Sequence, residues 1–228
     1  MLFRTLFIYF NIHFLLLISI AGLINIGYSA SLPKTCTSEC TQPFGAKLGQ
    51  NSHVSAYSNC NTDCISQNTS TAIDNAYTGM SWQCVEYARR WLIQVQHVTF
   101  ADVENAQHIW NIKEVSGISD NTKYTFVSMP NANSQPPAVG DLIIYKIALP
   151  DFPYGHVAVV VNVNLKAGYV DIAEQNYTND HWIDSNQYAR RLILIHQQDK
   201  YRVVDKDYVN LPAVSGNGTI MGWKRALK

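Results

Sequence analysis

Net charge is the first thing this chain does without. Its 228 residues hold 17 Lys+Arg and 17 Asp+Glu, a formal balance of zero, so nothing favours nucleic acid or an anionic surface as partner. Charged residues make up only 15%, which excludes a halophilic or tail-like chain. There is no internal repeat, no low-complexity tract and no Gly-rich phosphate loop. What is present is apolar: 47% hydrophobic and 11% aromatic residues are enough for a sizeable core and rule out disorder.

The long apolar run is confined to the start. Arg4 is the only charge in residues 1–29, and Leu6 to Tyr28 is mostly apolar, the pattern of a secretory signal peptide. Gly27 and Ser29 supply small residues where a signal peptidase reads. About 20 apolar residues also suffice to span a bilayer, so an uncleaved anchor is the alternative. Asn11, His13 and Asn25 speak against it, because polar groups in hydrocarbon are costly. Cys36 follows Lys34 and Thr35, unlike a lipoprotein cysteine. Either way the chain is expected to be exported, to a periplasm or the exterior. Residues 30–228 then form one domain with no membrane contact after cleavage.

Cysteine is scarce after the N-terminal segment. Cys36/Cys40 and Cys60/Cys64 are two Cys-x-x-x-Cys pairs, and export favours disulfides over zinc, for which the spacing is poor and no histidine is near. Pro43 to Gly49 and His53 to Ser58 read as two short strands that turn back at Gln50-Asn51-Ser52. Cys40 and Cys60 flank them, with Cys36 and Cys64 one step further out. The nested pairing Cys40–Cys60 and Cys36–Cys64 follows, each needing Cα atoms about 4.4–6.8 Å apart.

Cys84 is left over. It opens a helix predicted from about Trp82 to Gln96, with Ser81 as N-cap and Cys84, Tyr87, Ala88, Trp91 and Val95 on one face. A thiol near a helix N-terminus is favoured as thiolate, the nucleophilic form. A buried structural cysteine is the competing reading. Asp102 to Ile112 is a weaker helix candidate.

Beyond the Pro136-Pro137 break the period changes to strand: 140–145, 156–163, 169–177, 190–196 and 220–223. Helices first and strands later predict an α+β domain with a mostly antiparallel sheet. His156 opens the strongest strand, at the rim of a rigid element. A five-residue loop, Asn164 to Gly168, would pair Val163 with Tyr169, and therefore Ala158 with Glu174 and His156 with Asn176. Both polar groups then reach the imidazole, though a solvated edge strand would look the same. The assembled chemistry is a Cys84 thiolate attacking an amide carbonyl, with His156 moving the proton. Gln83 offers an amide to the oxyanion, or is simply a surface residue at the helix start.

The stretches Pro43-Phe44-Gly45, Leu48-Gly49, Trp82 to Arg90, Phe100 to Val103, Gly155 to Ala158, Ile172 to Asn176 and Met221-Gly222-Trp223 occur in an order that resembles the CHAP family of cysteine amidohydrolases and peptidases. Within that family they resemble the amidase domains of glutathionylspermidine synthetase/amidases. The resemblance implies a papain-like fold whose N-terminal helix, carrying the nucleophile, packs on the sheet. It implies Cys84 as nucleophile, His156 as base, Glu174 as orienting acid, and Arg89 and Asn176 as substrate contacts. On its helix alone, Arg89 reads as a surface charge paired with Glu86. No metal or cofactor is expected, the protein is expected to be a monomer, and ligase activity is expected to be absent. The substrate is expected to be a small amide or peptide, either a polyamine–glutathione conjugate or a peptidoglycan stem peptide. A catalytically dead binding module is the non-enzyme alternative.

Overall fold

The computed structural model describes residues 36, 38–62, 64, 70–73, 75–148, 152–206 and 220–228. The expected signal or anchor (residues 1–29) lies outside these. Among the described residues no helix is long and apolar enough to cross a membrane.

Two hairpins come first: β1 (Lys47–Asn51) with β2 (Val54–Tyr57), and β3 (Ser70–Ile73) with β4 (Ala76–Met80). Helix α1 (Cys84–Trp91) follows and runs on through a π-helical turn, Leu92–Gln96. It stops at His97, whose φ of 56° is left-handed. Then come β5 (Val98–Thr99), a 3-10 helix at Ala106–Asn111 in place of the longer helix expected there, β6 (Glu114–Gly117) and β7 (Lys123–Pro130). The remaining strands are β8 (Leu142–Tyr145), β9 (His156–Asn164), β10 (Tyr169–Ala173), β11 (Arg190–Gln197), β12 (Lys200–Val204) and β13 (Ile220–Leu227). The nine strands β5 to β13 form one antiparallel sheet in the order β12-β11-β10-β9-β8-β13-β7-β6-β5, which is the α+β organisation expected.

The middle of that sheet is buried on both faces. In β8, Leu142 and Ile144 join a core with Tyr87, Ala88, Trp91 and Leu92 of the helical segment, while Ile143 and Tyr145 join a second core with Ala158, Val160, Ile172 and Trp223. Alternate side chains of one strand point to opposite faces, so the two cores sandwich the sheet. Helix α1 packs on β9 on one side and β4 on the other. It is therefore covered nearly all round, and the expected single apolar face widens to include Glu86, Arg89 and Arg90. The N-cap is Gln83, with extended backbone (φ −82°, ψ 158°), rather than Ser81. Helical bonding starts at Gln83, whose carbonyl accepts from Tyr87 N.

The register of β9 with β10 needs a correction that cancels itself. The turn is tighter than expected and pairs Asn164 with Tyr169, one residue away from the predicted alignment. A bulge then leaves Val161 unpaired, after which Ile172 faces Val160 and Ala173 faces Val159. That is the predicted alignment, and extending it sets Glu174 level with Ala158. A one-residue slip would have turned Glu174 to the other face. β10 ends at Ala173, so Asn176 does not pair with His156; its φ of 56° turns the chain away from the strand.

Two disulfides, Cys36–Cys64 and Cys40–Cys60, bracket the first hairpin, with Cα separations of 4.7 and 4.2 Å. Cys84 is a free thiol.

Candidate active site

His156 stands first in β9 directly after Gly155, a residue with φ 67° whose added Cβ would lie 2.7 Å from the Tyr145 carbonyl oxygen. Only glycine fits there, and the close approach sets where the imidazole enters. The ring is 2% exposed and walled by Tyr145, Phe152 and Tyr177, at centroid distances of 5.5, 6.0 and 5.5 Å. Its Nε2 donates to Glu174 Oε2 at 2.8 Å, which leaves Nδ1 for the thiol. Cys84 is half-buried at the first position of α1 and is the largest influence that raises the pKa of the imidazole. Burial alone would lower the His156 pKa, but Cys84 and then Glu174 outweigh it and raise it from 6.5 to about 9.

Behind Glu174 lies a group that sequence reasoning missed. Arg190, the first residue of β11, donates from Nε to Glu174 Oε1 and from Nη2 to Oε2 at 3.1 Å. Its Nη1 donates to Asp205 Oδ2 at 2.7 Å, and Tyr145 Oη donates to the same oxygen at 3.0 Å. The guanidinium lies 3.5 Å over the Tyr177 ring. Burial would raise the pKa of Glu174, but Arg190 and then His156 bring it down from 4.5 to about 2. Glu174 therefore stays ionised although it is buried. The Glu174 carbonyl accepts from Trp182 Nε1 at 3.2 Å, and an added Cβ on Gly49 would lie 2.5 Å from the Trp182 ring. The first hairpin thus packs backbone to indole against the site.

Both shifts carry a sign for stability. The raised pKa of His156 contributes fully below 6.5, and the contribution is lost as pH rises through about 9. The lowered pKa of Glu174 contributes above 4.5 and is lost as pH falls toward about 2. The melting temperature is therefore expected to be highest between these limits and to fall on both sides. A scan from pH 3 to 10 checks this, and an unchanged melting temperature between pH 7 and 9.5 would contradict the His156 assignment.

The other predicted positions divide. Gln83 and Asn176 are brought together: Asn176 Nδ2 donates to Gln83 Oε1 at 2.8 Å. Arg89 is placed elsewhere and is not a solvent-facing group. It is 1% exposed, donates to Thr78 O at 2.7 Å, Ala101 O at 3.3 Å and Asp102 Oδ1 at 3.0 Å, and stacks 4.6 Å over Phe100. The helix is covered on that side by β4, so Arg89 is a buried, hydrogen-bonded group and not the surface charge that its helix alone suggested. Arg90, not Arg89, takes Glu86, at 2.7 and 3.1 Å. Gln175 braces the helix start, donating to Gln83 O at 3.2 Å and Glu86 Oε2 at 3.0 Å. The Ala173 to Asn176 polar run was the signal for it.

One group of possible metal ligands occurs among the described residues, Cys36, Cys60 and Cys64, and all three sulfurs sit in the disulfides. A disulfide sulfur is not the thiolate that a metal needs.

Residues 75–176 match the model of the CHAP domain family. Among characterised proteins the chain is similar to the trypanothione synthetase of Crithidia fasciculata, 33% identical over 164 residues, covering 72% of this chain and 24% of that protein. It is also similar to the bifunctional glutathionylspermidine synthetase/amidase of Escherichia coli (strain K12), 30% identical over 151 residues, covering 66% of this chain and 23% of that protein. The chain thus spans about a quarter of the length of these relatives.

Proposed function

We propose that this chain, which carries a CHAP domain, is an exported cysteine amidohydrolase with Cys84, His156 and Glu174 as its catalytic residues. The observation that carries the reading is the buried His156–Glu174 pair beside the half-buried Cys84 thiol, with Arg190 holding the far carboxylate charged. The Cys84 thiolate attacks an amide carbonyl carbon, and the electron pair moves to the oxygen. The Cys84 N–H, at a helix start without an intrahelical acceptor, and Gln83 Nε2 receive that oxyanion. The imidazolium gives its Nδ1 proton to the departing amine, the C–N bond breaks, and a thioester remains. His156 then takes a proton from water, hydroxide adds to the thioester, and the acid leaves as the thiolate re-forms. Asn176, beside Gln83, borders the substrate.

Export is supported by two disulfides and by the apolar first 29 residues. The substrate class we propose is a glutathione–polyamine amide, on the likeness to a synthetase/amidase of such a conjugate. Purified protein incubated with glutathionylspermidine is expected to release free spermidine, and Cys84→Ala is expected to abolish the release. Release of amines or peptides from purified peptidoglycan alone would replace this substrate class with the cell wall. A protein inert toward both, with a slowly alkylated Cys84, would end the enzymatic reading.

A further inference from the structure

An amide side chain serves an oxyanion only if its nitrogen, not its oxygen, faces the site, and the two ends of a primary amide are nearly identical in shape. Packing alone therefore cannot choose the orientation of Gln83. A ring of hydrogen bonds around it can. Asn59 N donates to Asn179 Oδ1 at 2.7 Å, Asn179 Nδ2 donates to Asn176 Oδ1 at 3.0 Å, and Asn176 Nδ2 donates to Gln83 Oε1 at 2.8 Å. The Cys64 carbonyl closes the ring, accepting from Gln83 Nε2 at 3.4 Å and from Asn59 Nδ2.

The two backbone ends set the direction. A peptide N–H can only donate and a peptide carbonyl can only accept. Because Asn59 N–H donates, Asn179 must present its oxygen there and its nitrogen to Asn176. Asn176 must then present its nitrogen to Gln83, and Gln83 its oxygen to Asn176. The Cys64 carbonyl favours the same orientation from the other end, through a longer contact than the one from Asn176. One N–H of Gln83 Nε2 is taken by Cys64, and the second is left for the oxyanion. Both ends are also clamped covalently: Cys64 is bridged to Cys36, and Asn59 adjoins Cys60, which is bridged to Cys40. Asn179 is 2% exposed and sits at φ 56°, a conformation asparagine tolerates better than most residues.

We propose that Asn179, acting from Asn59 through Asn176, is a positioning residue that sets the orientation of the Gln83 amide for catalysis. The inference rests on Gln83 as oxyanion donor. Asn179→Asp is the discriminating variant. A carboxylate still accepts from Asn59 N, so the tie between the segments survives, but it can no longer donate to Asn176. Asn176 then flips its nitrogen toward residue 179, and Gln83 flips its oxygen toward the site.

At pH 8 the variant is expected to lose about 100-fold in kcat, the scale of removing one oxyanion donor, with KM changed less than about threefold. The rate of Cys84 alkylation by iodoacetamide, which forms no oxyanion, is expected to match the unsubstituted protein. Relative to that protein, kcat of the variant should recover as pH falls, because a protonated carboxyl donates again. Asn179→Asp placed on Gln83→Ala should cost nothing further. If Gln83→Ala leaves kcat unchanged, the oxyanion role itself fails and the relay falls with it. If Gln83→Ala lowers kcat while Asn179→Asp does not, the relay alone is wrong. Parallel losses of kcat, alkylation rate and melting temperature in Asn179→Asp, without recovery in acid, would make Asn179 structural and overturn the proposal.

Discussion

Cys84→Ala is expected to lower turnover by at least about 10⁴-fold while the fold and melting temperature stay close to those of the unsubstituted protein. The size follows from what the thiolate does: it forms the bond to carbon, and no neighbouring group can take over. His156 and Glu174 remain, but a base without a nucleophile has only water to activate, in a pocket shaped for a covalent step. The expected structural silence also has a cause. Cys84 is half-buried at the helix start, and the helix is anchored by Tyr87, Ala88 and Trp91 rather than by the sulfur. Removing the thiolate also takes away the charge that does most to raise the pKa of His156. The imidazole of the variant should therefore titrate lower, measurable by NMR of the ring protons. Turnover within tenfold of the unsubstituted protein would refute the nucleophile assignment. An unmoved imidazole would refute the pairing of the two groups.

What could be read from the sequence was what local periodicity records. The β-branched run from Val157 to Val163 announced β9, and the 3- and 4-residue spacing of Tyr87, Ala88 and Trp91 announced α1. The strands that went unread, β3, β4, β5, β6, β7 and β12, are short or carry polar faces, and the pairing of most depends on partners farther along the chain. Glu174 was placed on the right face by a turn set one residue wrong, because nothing local distinguishes the unpaired Val161 from its neighbours. Arg89 was misread because a helix covered on both sides buries its charges, and whether a second layer exists is a tertiary fact. Arg190 and Asp205 gave no warning at all. Each looks like an ordinary strand-end charge, and only the fold brings Asp205, at the end of β12, to within 2.7 Å of Arg190.

That hidden arginine should matter more to stability than any other single side chain of the site. Arg190→Met is expected to destabilise the protein by about 3–5 kcal/mol, the range for breaking a buried ion pair by removing one partner. Methionine fills similar volume over the Tyr177 ring, so lost packing contributes little. The cost comes from Glu174 and Asp205, two buried carboxylates that lose the cation they share. Arg190 is the largest influence holding the pKa of Glu174 down, so without it that pKa should rise from about 2. The sign follows: the stability that ionised Glu174 supplies above its unfolded pKa is lost at a higher pH, and the acid limb of the stability profile moves upward. Turnover should fall as well, because a carboxyl that takes up a proton no longer holds the imidazolium. Urea denaturation at pH 5 and pH 7 separates the contributions. Asp205→Asn should be milder, since Arg190 then keeps Glu174 and an amide still accepts from Tyr145. A loss below about 1 kcal/mol for Arg190→Met, or an acid limb unmoved from that of the unsubstituted protein, would show that Glu174 is held ionised by something other than Arg190.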